Sequence, residues 1–143
     1  MDLSEPPRNG AVIRYAYLWR DEQRRGQEEG RKDRPTAVLL AKTESRTGRC
    51  TVLVLPITHT PPQHPEIAIG IRPTEARTMG LDETPSWIVC NEINSFEWPG
   101  FDIRPAPGGT PVLGMTPPGL YERMRTLFLE LRQAGRTGIV NRD

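Results

Sequence analysis

The chain has 143 residues, of which 36% are apolar and 26% are charged, and this composition indicates a single soluble globular domain. It excludes large multidomain enzymes, and it excludes membrane-spanning helices because no apolar run approaches the roughly 18 residues that such a helix needs. The net charge of +1 does not by itself require a nucleic-acid partner.

The first nine residues are polar and contain Pro6 and Pro7, so we expect a flexible arm in front of one domain at residues 10–143. They lack the basic start and the apolar stretch of a signal peptide. The sequence therefore predicts a cytoplasmic protein without a membrane partner.

Short apolar runs bounded by turn residues predict a chain rich in β-strands. The candidate strands lie, in chain order, at residues 11–19, 36–41, 49–57, 66–72 and 86–96, with a short one around Val112. A short polar linker at 43–48 joins the second strand to the third, which favours an antiparallel pair. Residues 20–34 carry many charges and two glycines, which predicts a solvated, mobile loop.

Two helices are predicted, a short one at residues 74–79 and an amphipathic one at 117–134. Thr74 and Thr116 are the candidate N-caps, and a glycine follows each helix. The second helix has one apolar face, formed by Leu120, Met124, Leu127, Phe128 and Leu131. The pattern predicts a mainly β (α+β) fold, a small twisted barrel or sandwich with a C-terminal helix packed against it.

Cys50 and Cys90 are isolated within apolar runs. Neither belongs to a CxxC pair or to a Cys/His cluster, so we expect reduced core thiols rather than a disulfide or a zinc site. No metal site is predicted.

Three segments occur in an order that is typical of one protein family. They are Gly10-Ala11-Val12-Ile13, the segment from Glu29 through Arg34-Pro35 to Leu39, and Val54-Leu55-Pro56-Ile57-Thr58. This ordered set, with a glutamate five positions before the arginine, resembles the MazF/PemK family of toxins from bacterial type II toxin-antitoxin systems. Residues 86–96 look like the last conserved strand of that family, and the terminal helix also fits, so the resemblance covers residues 10–135.

The resemblance implies a small SH3-like barrel of the PemK/CcdB type with a C-terminal helix. It also implies a homodimer that acts as an mRNA interferase, cutting single-stranded RNA without a metal or another cofactor and so inhibiting growth. The expected protein partner is a cognate antitoxin, bound in the same groove as the RNA.

Metal-free RNA cleavage has to deprotonate a ribose 2′-hydroxyl, stabilise charge on the phosphate and protonate the leaving 5′-oxygen. The resemblance implies that Arg34 stabilises the phosphate, that Thr58 donates its hydroxyl to it, and that Glu29 accepts the proton. Arg34 suits its role because a guanidinium presents paired donors and stays charged. His59, which the family pattern does not require, is a further candidate for the acid or the base, because histidine is a common proton-transfer residue.

Six residues are predicted to contact RNA: Arg25, Arg31 and Lys32 in the charged loop, and Asn91, Glu92 and Asn94 in the last conserved strand. Asn91 stands where some family members carry an acidic residue that transfers protons, and Asn94 stands where the family has a basic residue. Alternation along the strand would turn Glu92 to the opposite face unless the strand is bulged. The identity of the general base therefore stays open.

Two other function classes stay open at this point. One is a protein-binding toxin on the same barrel, similar to the gyrase poisons, which need neither the Glu-x4-Arg-Pro pattern nor the threonine. The other is a non-catalytic nucleic-acid-binding module, which the asparagine at position 91 favours.

Overall fold

A computed structural model describes residues 2–26, 33–100, 102–105 and 108–142 of the chain. Within these ranges the strands are β1 (Ala11–Tyr15), β2 (Arg34–Thr43), β3 (Cys50–Thr58), β4 (Ala68–Gly70), β5 (Trp87–Val89), β6 (Glu92–Trp98), β7 (Ile103–Arg104), β8 (Val112–Met115) and β9 (Gly138–Asn141). The α-helices are α1 (Arg20–Arg24), α2 (Pro73–Thr78) and α3 (Pro118–Gln133). None of the described helices is long and apolar enough to cross a membrane.

The nine described strands belong to one sheet, whose main hydrogen-bonded order is β4-β5-β3-β2-β1-β7. β6 branches from β3 and pairs in turn with β9, and β8 pairs with β1. Every described pairing is antiparallel except that of β6 with β9. The described strands do not close into a ring. The predictions of a mainly β fold with a C-terminal helix and of an antiparallel β2–β3 pair are confirmed.

Neighbouring residues of a strand point to opposite faces of the sheet, and apolar side chains cover both faces. One face packs against α3, and this helix-side core contains Val12, Ala37, Leu39, Leu55, Ile57, Leu120, Met124, Phe128 and Leu131. The other face carries an aromatic core with Ile13, Tyr15, Tyr17, Val38, Val52, Val54, Phe96 and Trp98. A polar site is therefore favoured at the ends of the strands.

Helix α3 lies where the sequence predicts it. Its buried residues recur every three or four positions, as an amphipathic helix requires: Leu120, Met124, Phe128 and Leu131. The predicted caps are wrong, because Pro117 precedes α3 in place of Thr116, and Arg72 precedes α2 in place of Thr74.

The charged segment begins with a helix, so the prediction of a loop from residue 20 is wrong for its first residues. The side chain of Glu22 is only 6% exposed, and its Oε1 accepts a hydrogen bond from the backbone N–H of Trp19 at 3.1 Å. A glutamate at the third helical position that bonds the residue before the helix stabilises a helix start. Residues 27–32 lie outside the described residues, so the mobility predicted there is untested.

Three predicted strands are interrupted or shortened, and the one expected at 66–72 is reduced to β4 (Ala68–Gly70). The strand expected at 86–96 is divided into β5 and β6 by a bend at Cys90 and Asn91. The strand expected at 11–19 pairs only as far as Tyr15. The parallel strand β9, which follows α3 and joins β6, was not predicted.

Residues 2–9 contact the domain at several points, and the flexibility predicted for residues 1–9 stays a prediction. Trp98 donates its indole N–H to the carbonyl of Leu3 at 3.1 Å. The side-chain oxygen of Asn9 accepts a bond from the backbone N–H of Ala41 at 2.9 Å. Pro7 is buried. These contacts fasten the segment at both of its ends.

Asn94 holds the backbone of residues 16–19, which follow β1 without joining a strand. Its side chain is fully buried. Oδ1 accepts a hydrogen bond from the backbone N–H of Leu18 at 2.9 Å, and Nδ2 donates to the Leu18 carbonyl at 2.8 Å. The amide thus satisfies both polar groups of Leu18. The expected RNA contact of Asn94 is contradicted, because its side chain is enclosed and already bonded within the fold.

Arg142, which follows β9, joins the same network. Its Nη1 donates to Oδ1 of Asn94 at 3.0 Å and to the carbonyl of Ala16 at 2.8 Å. Its Nη2 lies 2.9 Å from a carboxylate oxygen of Asp102, and the arginine side chain is only 4% exposed. The C-terminal strand is therefore tied to the segment that leads into α1.

Replacing Asn94 with leucine should lower the free energy of unfolding by about 2–4 kcal/mol, because both backbone groups of Leu18 would be buried without partners. Urea denaturation measures the change. The control is Ser95→Ala on the same strand, for which we expect a change below about 0.5 kcal/mol. Wild-type stability of the Asn94 variant would contradict the bridging role of this side chain.

Candidate functional site

A cavity of about 910 Å³ opens beside the start of β2 and the end of β3. The register of these antiparallel strands places Thr36 opposite Pro56, and extending it by two residues brings Arg34 opposite Thr58. Both residues line the cavity. Strand pairing therefore unites two predicted site residues that are far apart in the sequence.

Arg34 presents a partly buried cation to this cavity. Its guanidinium carbon lies 4.9 Å from the centre of the Trp19 ring, which is a cation–π contact. Burial lowers the pKa of Arg34 from its usual value, and the neighbouring Glu22 opposes that shift. Its Nε is buried and has no hydrogen-bond partner among the described residues. Because the guanidinium nonetheless stays charged, an anion in the cavity would interact strongly with it.

Thr58 can act as a hydrogen-bond donor at the end of β3. Its Oγ1 accepts a bond from the backbone N–H of Thr60 at 3.1 Å, so the hydroxyl proton is left for another acceptor. His59 follows it, and its Nδ1 lies 3.1 Å from the carbonyl of Pro85. Its Nε2 lies 3.7 Å from a carboxylate oxygen of Asp82. These contacts orient the imidazole at the cavity wall.

Glu92 places a partly buried carboxyl group beside the same cavity. The bend between β5 and β6 allows both Asn91 and Glu92 to line it, so strict alternation does not turn Glu92 away. Oε1 of Glu92 accepts bonds of 3.0 Å from the Tyr17 hydroxyl and from the backbone N–H of Arg20. Burial raises the pKa of Glu92. Burial also raises the pKa of Tyr17 well above its usual value, so the phenol remains a donor.

The sequence analysis missed Glu22 as a site residue. Glu22 lines a smaller adjoining cavity of about 550 Å³ together with Arg34 and Glu92, and its charge partly opposes the lowering of the Arg34 pKa by burial. The available signal was its position three residues after Trp19, which is the spacing of a helix start. That spacing predicts the hydrogen bond between the Glu22 carboxylate and the backbone N–H of Trp19, but it does not predict that Glu22 lies close to Arg34.

The predicted site residues fall into four groups. Those that line the larger cavity are Arg34, Thr58, His59, Asn91 and Glu92. Arg25 lines the adjoining smaller cavity, whereas Asn94 is buried in the core. Glu29, Arg31 and Lys32 lie outside the described residues.

Comparison with known proteins identifies a family for most of the chain. The family described as PemK-like, MazF-like toxin of type II toxin-antitoxin system matches residues 13–99, a segment that runs from β1 to the end of β6. The match includes the segments that supply the cavity residues Arg34, Thr58 and Glu92. No curated protein matches the chain.

Replacing Glu92 with glutamine should raise the melting temperature at neutral pH. Burial raises the pKa of Glu92 in the folded state because the fold favours the neutral carboxyl group over the carboxylate. Above that pKa the ionised carboxylate therefore lowers the free energy of unfolding. Glutamine keeps an oxygen for Tyr17 and Arg20 without the buried charge. The gain should vanish below about pH 4, where the carboxyl group is protonated in the folded and the unfolded states.

Thermal unfolding at a series of pH values measures this difference. The control is Glu97→Gln, which changes a half-exposed glutamate of the same strand and should leave the melting temperature nearly constant. A gain for the Glu92 variant that persists unchanged at acid pH would contradict the role of its charge.

Proposed function

Since the chain belongs to the PemK-like, MazF-like family of toxins of type II toxin-antitoxin systems, we propose that it is an endoribonuclease that cleaves single-stranded RNA in the larger cavity. The observation that best supports this proposal is the convergence of Arg34 and Thr58 on that cavity. The two residues bring a partly desolvated cation and a free hydroxyl donor to one place, as a reaction at a phosphate requires.

In the proposed reaction the ribose 2′-oxygen attacks the phosphorus while the bond to the 5′-oxygen breaks. The products are a 2′,3′-cyclic phosphate and a 5′-hydroxyl. Negative charge builds on the phosphate oxygens in the transition state, and Arg34 stabilises it through its Nη donors from a partly buried position. Thr58 donates its hydroxyl to one of the same oxygens.

Two proton transfers complete this reaction. Glu29, by its position in the family pattern, is proposed to accept the proton of the 2′-hydroxyl. Glu92 is the described carboxyl group best placed to protonate the 5′-oxygen, because it lines the cavity and burial raises its pKa, which brings it closer to that of an effective general acid. His59 is the second candidate for this donor, since its ring is held at the cavity wall.

Further contacts and partners follow from the same proposal. Arg25, Arg31 and Lys32 are proposed to bind RNA phosphates, which position a strand without selecting its sequence. Asn91 is proposed to contact RNA from the bend between β5 and β6. Family membership supports a homodimer and a cognate antitoxin protein that inhibits cleavage by covering the cavity.

Arg34→Ala should lower the rate of RNA cleavage by about 1,000-fold, and Thr58→Val by about 100-fold, because each change removes a donor to the developing charge. The assay incubates single-stranded RNA with purified protein in excess EDTA and identifies the new ends. We expect 2′,3′-cyclic phosphate and 5′-hydroxyl ends, and DNA of the same sequence should stay intact because it lacks the nucleophile.

Thr51→Val is the matched control, since it removes an exposed hydroxyl from the same strand, and it should cleave RNA at the wild-type rate. All variants should show the thermal unfolding of a folded protein. Cleavage at the wild-type rate by the Arg34 and Thr58 variants would refute the assigned site. RNA that stays whole across many sequences at high protein excess would refute the nuclease proposal itself.

A further inference from the structure

Arg14 is a half-buried cation of β1 that lines the larger cavity. It lies between two strands, with Pro35 of β2 opposite on one side and Arg104 of β7 opposite on the other. Among the described residues, no hydrogen bond or ion pair involves its guanidinium. The sequence analysis missed Arg14, because it is one arginine within an alternating strand.

The pairing of Arg14 with Arg104 sets two like charges directly across an antiparallel ladder, which is unfavourable. A carboxylate oxygen of Asp33 lies 3.3 Å from Nε of Arg104, so the nearby acid compensates Arg104 and leaves Arg14 unpaired. The repulsion between Arg14 and Arg104 lowers the stability of the folded protein. A ligand that brings a negative charge to Arg14 would offset this cost and account for an arginine at this position.

The other acidic residues that line the cavity are Asp21, Asp82 and Glu92, and the last two have partners of their own. Asp82 lies 3.7 Å from the His59 ring, and Glu92 accepts bonds from Tyr17 and from the backbone of Arg20. The cavity therefore offers two guanidinium groups, of Arg14 and of Arg34, to an incoming anion.

We propose that Arg14 binds a second backbone phosphate of the RNA strand whose reacting phosphate lies at Arg34; this inference rests on the proposed function. Arg34 stands opposite Tyr15, the residue next to Arg14, in the β1–β2 pairing, and both arginines line the larger cavity. Two cations so placed along one cavity suit successive phosphates of an extended strand. A phosphate contact of this kind fixes the position of the strand and carries no sequence preference.

The test measures binding of a fluorescein-labelled, single-stranded 2′-O-methyl RNA of mixed sequence, which lacks the nucleophile and cannot be cleaved. Fluorescence anisotropy over a series of salt concentrations gives the slope of log K against log salt. Arg14→Gln should weaken binding and reduce the magnitude of this slope by about 0.7, the value for one phosphate contact on a single strand. Arg14→Lys should keep the wild-type slope, since it keeps the charge.

Two controls separate RNA binding from folding. Arg46→Gln changes an exposed arginine in the turn between β2 and β3 and should leave the slope unchanged. The melting temperature of Arg14→Gln should not fall below that of the wild type, because the substitution removes the repulsion with Arg104.

The outcomes distinguish the two proposals. Wild-type protein that binds the RNA, with an Arg14→Gln slope equal to the wild-type slope, would overturn the role of Arg14 and leave the proposed function standing. A slope that falls for Arg14→Gln only together with a large loss of melting temperature would also overturn it. Wild-type protein that does not bind RNA at all would refute the proposed function and this inference with it.

Discussion

The structure depends on how residues 16–19 satisfy their backbone polar groups after β1 ends. Buried N–H and carbonyl groups need partners, and here the amide of Asn94 and the guanidinium of Arg142 supply them. This side-chain network fixes the path of the chain from the sheet into α1. The same path positions Trp19, whose ring supports the guanidinium of Arg34. This largely buried hydrogen-bond network therefore determines where the guanidinium of Arg34 lies in the cavity.

The cavity collects groups that are unfavourable for folding. Arg34 is a partly desolvated cation with an unsatisfied Nε, Glu92 is a carboxyl group whose ionised form is disfavoured by burial, and Arg14 faces another arginine across the ladder. Each of these costs stability, yet each would interact strongly with a phosphate or exchange a proton with a substrate. The two apolar cores on either side of the sheet supply the stability that offsets these costs.

The elements that the sequence predicts well are those with local signals. The β2–β3 pair follows from two continuous apolar runs and a short polar linker, and α3 follows from apolar residues at helical spacing. Elements that depend on distant contacts were missed or misassigned. The helix α1 forms in a charged segment because Glu22 bonds back to Trp19, and β9 exists only because β6 leaves an edge to pair with. The role of Asn94 was misjudged because Leu18, its partner, lies 76 residues away.

The sequence by itself determined the class of fold and the family, and it pointed to Arg34 and Thr58, which line one cavity, since these inferences rest on periodicity and on motifs whose spacing is visible in the chain. Only the tertiary structure decided which side chains surround that pair. The bend between β5 and β6 turns Glu92 to the cavity, the pairing of β1 with β7 sets Arg14 opposite Arg104 with no ion-pair partner among the described residues, and the network at Arg142 takes Asn94 out of the site. The physical reason is that burial, charge compensation and hydrogen-bond satisfaction depend on neighbours in space, and the order of residues along the chain does not specify those neighbours.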